Sequence, residues 1–159
     1  PGFVNEAMEC HGGAGFVEEG TMPRLYRQAP LNAIWEGSGN VIALDILRAL
    51  AREPDSIEAV RAELYAAHGA NRFYDAHRRR LDTWFEPGAL GEGSARSFAE
   101  SLALALSAAA LHRLSTAAMF DGYCAARLDT EHRSLAYGAA PAGIDSRAVV
   151  ARAGVGLAA

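Results

Sequence analysis

A carboxylate beside a large aromatic, just ahead of a helix start, is the first arrangement in this chain that could carry chemistry. Ile34-Trp35-Glu36-Gly37-Ser38-Gly39-Asn40 places Glu36 between Trp35 and the opening turn of a helix. Desolvation against Trp35 would favour the neutral carboxyl, and a nearby helix dipole would favour the anion. A glutamate held in that balance can act as a general base. Gly37 leaves room for a ligand to lie against the backbone. A solvent-facing loop glutamate ahead of an ordinary Ser38 cap accounts for the same residues more simply, because single carboxylates in loops are commonplace.

Two further groups of residues invite chemistry. Gly12-Gly13-Ala14-Gly15 is the glycine cluster that could approach a phosphate. No strand precedes it, neither a dinucleotide fingerprint nor a P-loop lysine is present, and a helix C-terminus with its turn explains it. His77-Arg78-Arg79-Arg80 is the basic run, and a nucleic-acid contact through Arg78, Arg79 and Arg80 is one reading. Ordinary helix pairs are the other: Asp75 with Arg79, Arg78 with Asp82, and Arg80 along Trp84. The histidines His11, His68, His77, His112 and His132 never pair at metal-ligand spacing, and no nucleophile elbow occurs. No metal site and no hydrolase are expected.

The elements that must position these residues read as helices. Residues 1–11 look like the end of a helix stopped by Gly12-Gly13 and Gly15. Met22 to Gln28 fits a short helix with Pro23 in its first turn and Pro30 ending it. A helix capped by Ser38 carries Val41, Leu44, Leu47 and Ala51 on one stripe and ends before Pro54. Asp55 with Glu58 resembles a capping box opening a helix through Ile57, Val60, Leu64 and Ala67. Residues 71–85 make another amphipathic helix, with Tyr74, Leu81 and Phe85 on one face. Ser97 with Glu100 opens a long helix to about Arg127, apolar almost all round and so packed on several sides. Asp145 caps a last helix to about Ala153, and Gly154 onward is a tail. No alternating β-branched run appears. The expected fold is all-α, an antiparallel helical bundle over residues 38–159. Residues 1–37 are an irregular N-terminal segment of truncated helix, Gly-Gly turn and base loop.

Composition narrows the class. The chain has 159 residues, half of them hydrophobic, with 15 basic residues against 19 acidic ones and a formal charge of −4. Every basic residue is an arginine. A mildly acidic chain is a poor nucleic-acid binder as a whole. Leu102 to Leu111, the longest apolar stretch, is too short to span a bilayer, so no membrane partner is expected. Cys10 and Cys124 make no disulfide framework, which points to a reducing, cytoplasmic setting. Pro1 opens the chain, and Phe3 to Glu9 already reads as mid-helix, so a piece of a longer protein is expected.

Taken together, Glu6-Ala7-Met8-Glu9-x-x-Gly12-Gly13-x-Gly15-Phe16, Met22-Pro23-Arg24-Leu25-Tyr26-Arg27 and Ile34-Trp35-Glu36-Gly37-Ser38 resemble the acyl-CoA dehydrogenase family. Pro23-Arg24-Leu25-Tyr26-Arg27 and Trp35-Glu36-Gly37-Ser38-Gly39-Asn40 are similar, more narrowly, to its AidB-type, adaptive-response branch. The resemblance runs in order over roughly residues 3–50. Beyond residue 55 it thins to helix lengths and Phe73-Tyr74-Asp75…Arg79-Arg80-Leu81.

That resemblance implies an FAD-binding protein with an N-terminal helical domain, a β-barrel domain and a C-terminal four-helix domain, of which this chain matches most of the last. It implies a homotetramer in which the Gly12-Gly13 turn approaches a neighbour's FAD. Glu9, Gly12, Gly13, Ser38 and Asn40 match cofactor-contacting positions, although many relatives carry glutamine where Glu9 and Asn40 stand. Glu36 matches the base that removes the α-proton of an acyl-CoA, and the fragment alone would be inactive. The branch also implies a rival: a protective flavoprotein that binds duplex DNA, with Arg78, Arg79 and Arg80 as contacts. A non-enzymatic helical interaction module is the third alternative.

Overall fold

The computed structural model describes residues 1–131 and 136–154, and every regular element among them is helical. His132 and the tail beyond Gly154 lie outside the described residues. The chain divides into two units. Residues 1–42 with 136–139 form the first, and the other described residues form the second.

The first unit is built from short helices. In α1 (Gly2–Cys10) the last carbonyls are taken up by the His11 and Gly12 amides, from Met8 and Glu9, each at 3.0 Å. Gly12 turns the chain at φ 57°, and Gly13–Phe16 then form α2. Gly15 is therefore not a stop signal, as its spacing suggested. It is buried inside α2, and a Cβ there would stand 2.3 Å from the Met8 carbonyl oxygen. Only a residue without a side chain lets the two helices meet. The third helix, α3 (Met22–Gln28), has the expected span with Pro23 in its first turn, where a missing N–H is harmless. Pro30 does not end the coiling. It sits near the start of a 3-10 turn, Ala29–Ala33, that continues from α3. Arg27 grips both carboxylate oxygens of Glu18. That hydrogen-bonded guanidinium holds the Glu18 carboxyl below the usual carboxylate range. From residues 136–139, the Tyr137 ring meets Phe3 edge-on at 5.9 Å.

The second unit has a dense core. It holds most of α4 (Gly39–Arg52), then α5 (Pro54–Tyr65), α6 (Arg72–Asp82), α7 (Ala95–Leu114), α8 (Ala117–Arg127) and α9 (Ser146–Arg152). Along α7 the buried positions Ala95, Phe98, Leu102, Ala105 and Ala109 recur every three or four residues. This helix packs on α5, α6 and α8, in line with an element apolar on several sides. Phe98 is fully buried, with Phe85 edge-on at 5.6 Å and Trp84 at 6.3 Å. Tyr74 is also fully buried and donates its hydroxyl to the Leu64 carbonyl at 2.6 Å. Burial pushes the Tyr74 phenol and the Cys124 thiol each up to about 12.

Several boundaries depart from the sequence pattern. The long helix breaks where Ser115 is extended (φ −135°, ψ −171°), and the Thr116 hydroxyl then caps α8 by accepting from the Met119 amide. A local oxygen competing for backbone amides ends one helix and starts the next. At the other end α7 begins at Ala95, so Ser97 and Glu100 lie within it. Ser94 makes the local bonds instead, its hydroxyl accepting from the Gly91 amide and donating to the Gly91 carbonyl. Likewise α5 begins at Pro54, where proline fits a first turn, and Asp55 follows inside that turn rather than capping it. The 71–85 helix tightens into a 3-10 turn at Thr83–Phe85. Asp145 does cap α9, its side chain accepting from the Ala148 amide at 2.9 Å.

Candidate functional site

Glu36 stands in a two-residue reversal between two pinned ends. On one side the Leu31 carbonyl accepts from both Ile34 and Trp35, at 2.9 and 3.1 Å, closing the 3-10 turn. On the other the Ser38 carbonyl accepts from Ile42 at 3.0 Å, the first bond of α4. Between them Glu36 adopts φ 57° and Gly37 φ 117°. Glu36 is the one non-glycine residue with positive φ among the described residues. Its amide donates to no protein acceptor among them. Trp35 does not shelter the carboxylate within these residues: Glu36 is exposed and Trp35 is 57% exposed. The reason is general to the unit, which buries only Gly15 and Pro23 among its residues up to Ile42.

Ser38 and Asn40 sit at the opening of the same helix, both exposed, so three of the predicted residues share one helix N-terminus. Glu9, Gly12 and Gly13 lie together at the end of α1 and are also exposed. A Cβ at Gly12 or Gly13 would meet nothing within 4 Å, so the backbone there is open to close approach. The Glu9 carboxylate accepts from the Asn5 side chain at 3.1 Å. Beside this turn, Met8, Phe16, Pro23, Tyr26 and the Arg27–Glu18 pair line a cleft of about 430 Å³ that no motif marks. Its lining comes from three segments that only the α1–α2–α3 packing unites.

The basic run lies on α6 and is not one surface. Arg78 is half-buried, bonded to Asp82 at 2.7 Å and placed over the Tyr65 ring at 5.7 Å. Arg79 and Arg80 are exposed. The Asp75–Arg79 bridge is replaced by a longer-range one: Asp75 faces His68 Nδ1 at 3.1 Å and accepts from the Gly69 amide at 3.0 Å. Trp84 packs on Phe98 rather than under Arg80, and the cation–π contacts among the described residues are those of Arg61, Arg72 and Arg78. His77, given no role by its spacing, is buried between α6 and α7 and donates from Nε2 to the Ser101 carbonyl at 2.9 Å. No cluster of three or more His, Cys, Asp or Glu among the described residues is placed to hold a metal ion. No helix among them is long and apolar enough to cross a membrane.

The family description "Acyl-CoA dehydrogenase, C-terminal domain" matches residues 2–51, the stretch that contains the Gly12 turn and the Glu36 reversal. AidB of Escherichia coli (strain K12) is 37% identical over 128 residues, 80% of this chain. The chain is a homologue of AidB that carries the acyl-CoA dehydrogenase C-terminal domain over residues 2–51. A second relative, acyl-CoA dehydrogenase family member 11 of Caenorhabditis elegans, is 48% identical over 46 residues, 29% of this chain. The matched stretches are 23% of the bacterial relative's length and 8% of the worm relative's. Glu9, Gly12, Gly13, Glu36, Ser38 and Asn40 all fall inside the family match, and Arg78, Arg79 and Arg80 fall outside it.

Proposed function

We propose that this chain is the C-terminal helical portion of an FAD-dependent acyl-CoA dehydrogenase-like protein whose whole chain introduces an α,β double bond into an acyl-CoA. The observation that carries this reading is the backbone of Glu36. A non-glycine residue in the left-handed region costs about 1–3 kcal/mol and persists where its surroundings hold it, often at a functional site. Here the strained residue is a carboxylate with an unengaged amide, inside the family match.

The chemistry follows from what a thioester needs. Its α-proton leaves only if the developing enolate charge is stabilised at the carbonyl oxygen. In this reading the Glu36 amide donates to that oxygen, and a Glu36 carboxylate oxygen takes the proton as the α C–H bond breaks. Bound FAD would accept the β-hydrogen with its electron pair, leaving the double bond. The residues present suit such a group. Gly12 and Gly13 offer open backbone, and Ser38 and Asn40 stand where a helix N-terminus favours a phosphate. Glu9 has acceptors only, so it suits a cofactor hydroxyl or amine rather than a phosphate.

A working base must be dry, and Glu36 is exposed within these 159 residues. Exclusion of water therefore falls to protein outside them, and a homotetramer is the assembly we propose. Uncovered apolar side chains in the first unit, from Tyr137 at 41% to Phe16 at 78% exposed, support it. The 159 residues alone are expected to be inactive. Duplex-DNA binding through Arg78, Arg79 and Arg80 has less support, because Arg78 is already taken by Asp82 and Tyr65.

The test uses the flavin-loaded full-length protein with butyryl-, octanoyl- and palmitoyl-CoA, following the fall in flavin absorbance. At least one thioester bleaches the native protein, and Glu36→Gln slows that bleaching by about 10²–10⁴-fold. Bleaching by none of the three, or an unchanged rate in Glu36→Gln, overturns the reading.

A further inference from the structure

We infer that Gly37 is a positioning residue for the Glu36 carboxylate, with Ile42 as the wall that denies it a side chain. The inference rests on the base role proposed for Glu36. Gly37 has no side-chain atom with which to touch a substrate. Its contribution is the path of the backbone. The chain must reverse between the Leu31 carbonyl, which holds Ile34 and Trp35, and the Ser38 carbonyl, which holds Ile42. Two residues complete that reversal, and the second takes φ 117°, a region L side chains rarely adopt.

Space reinforces the dihedral. A Cβ at residue 37 would lie 3.2 Å from Ile42 Cγ1 and 3.7 Å from Ile42 Cδ1. Ile42 is helical and β-branched, so one χ1 rotamer is strongly preferred and the side chain cannot swing aside cheaply. Any side chain at position 37 must then be relieved by rotating the turn. The residue that moves first is its neighbour, Glu36, whose own φ of 57° already depends on the same two pinned ends. A base displaced by about 1 Å loses on the order of 100-fold in rate.

The experiment compares Gly37→Ala, Gly37→Ala/Ile42→Ala and Glu36→Gln in the flavin-loaded full-length protein, using whichever of the three thioesters bleaches fastest. Three quantities are read: flavin content, the split between kcat and KM, and exchange of the substrate α-proton with deuterated water by NMR. Gly37→Ala should keep its flavin and its KM while kcat and α-proton exchange both fall by about 100-fold. The double variant makes room for the methyl but keeps the forbidden dihedral, so its exchange stays slow with flavin bound. Exchange at the native rate in Gly37→Ala overturns the inference, and so does loss of flavin in both variants, which would make Gly37 a folding residue. If Glu36→Gln exchanges and bleaches normally, the base reading itself falls. If Glu36→Gln stops exchange while Gly37→Ala does not, only the positioning inference falls.

Discussion

The two units solve opposite problems with similar helices. The second unit buries Tyr74, Leu81, Phe98 and Ala105 completely along two helices, and burial pushes its Tyr74 phenol and Cys124 thiol upward. The first unit buries a glycine and a proline before Ile42, and carries Phe3, Phe16, Ile34 and Trp35 more than half exposed. Every residue proposed to touch substrate or cofactor lies in that thinly covered unit. Apolar burial is the main source of stability, so a unit that leaves its aromatics outside is shaped by something other than its own core. The contrast separates a part of the molecule with its own aromatic core from a part whose aromatics its own helices leave uncovered.

Substitutions can break this contrast or sharpen it. The largest effect should come from Phe98→Ala, which empties a fully buried site between two aromatic rings and should cost about 3–5 kcal/mol in urea denaturation. Phe16→Ala in the first unit removes a ring of similar size that is 78% exposed, and should change stability by no more than about 0.5 kcal/mol. Equal losses would end the distinction between the units.

High pH should act on the second unit through two groups. The Tyr74 phenol rises from 10.0 to about 12 on folding and the Cys124 thiol from 9.0 to about 12. Both lose charge-free burial when they ionise, so their contribution is complete below pH 9 and fades as pH climbs toward 12. Denaturation midpoints measured across that window should fall steadily in the native chain. They should fall less in Cys124→Ala or Tyr74→Phe, judged against each variant's own value at pH 8, which lies about a unit below the unfolded thiol value. The smallest effect belongs to Arg27→Ala, whose bidentate partner Glu18 is in open solvent. Its loss should leave the midpoint where it was.

Much of the fold was legible because helix signals are local. Pro23 marks the start of α3, Asp145 caps α9 through its own side chain, and the α7 stripe follows from spacing alone. The departures come where two local signals compete. Ser115-Thr116 looks harmless inside an apolar run, yet its hydroxyl and extended backbone split the run in two. Asp75 has a textual partner four residues on, but the turn after α5 brings His68 and Gly69 to it instead. For the candidate site, the positions of Glu36 and the Gly12 turn were visible as motif spacing. The left-handed backbone of Glu36 was not, because glutamate has no intrinsic preference for that region and only the pinned ends impose it.

The close approach of α2 to the Met8 carbonyl has a practical consequence for anyone who maps this protein by exhaustive substitution. Gly15 admits no other residue, though no proposed reaction step passes near it. In a fitness map it would score as harshly as the catalytic candidates, and an intolerant position there would report backbone crowding rather than turnover.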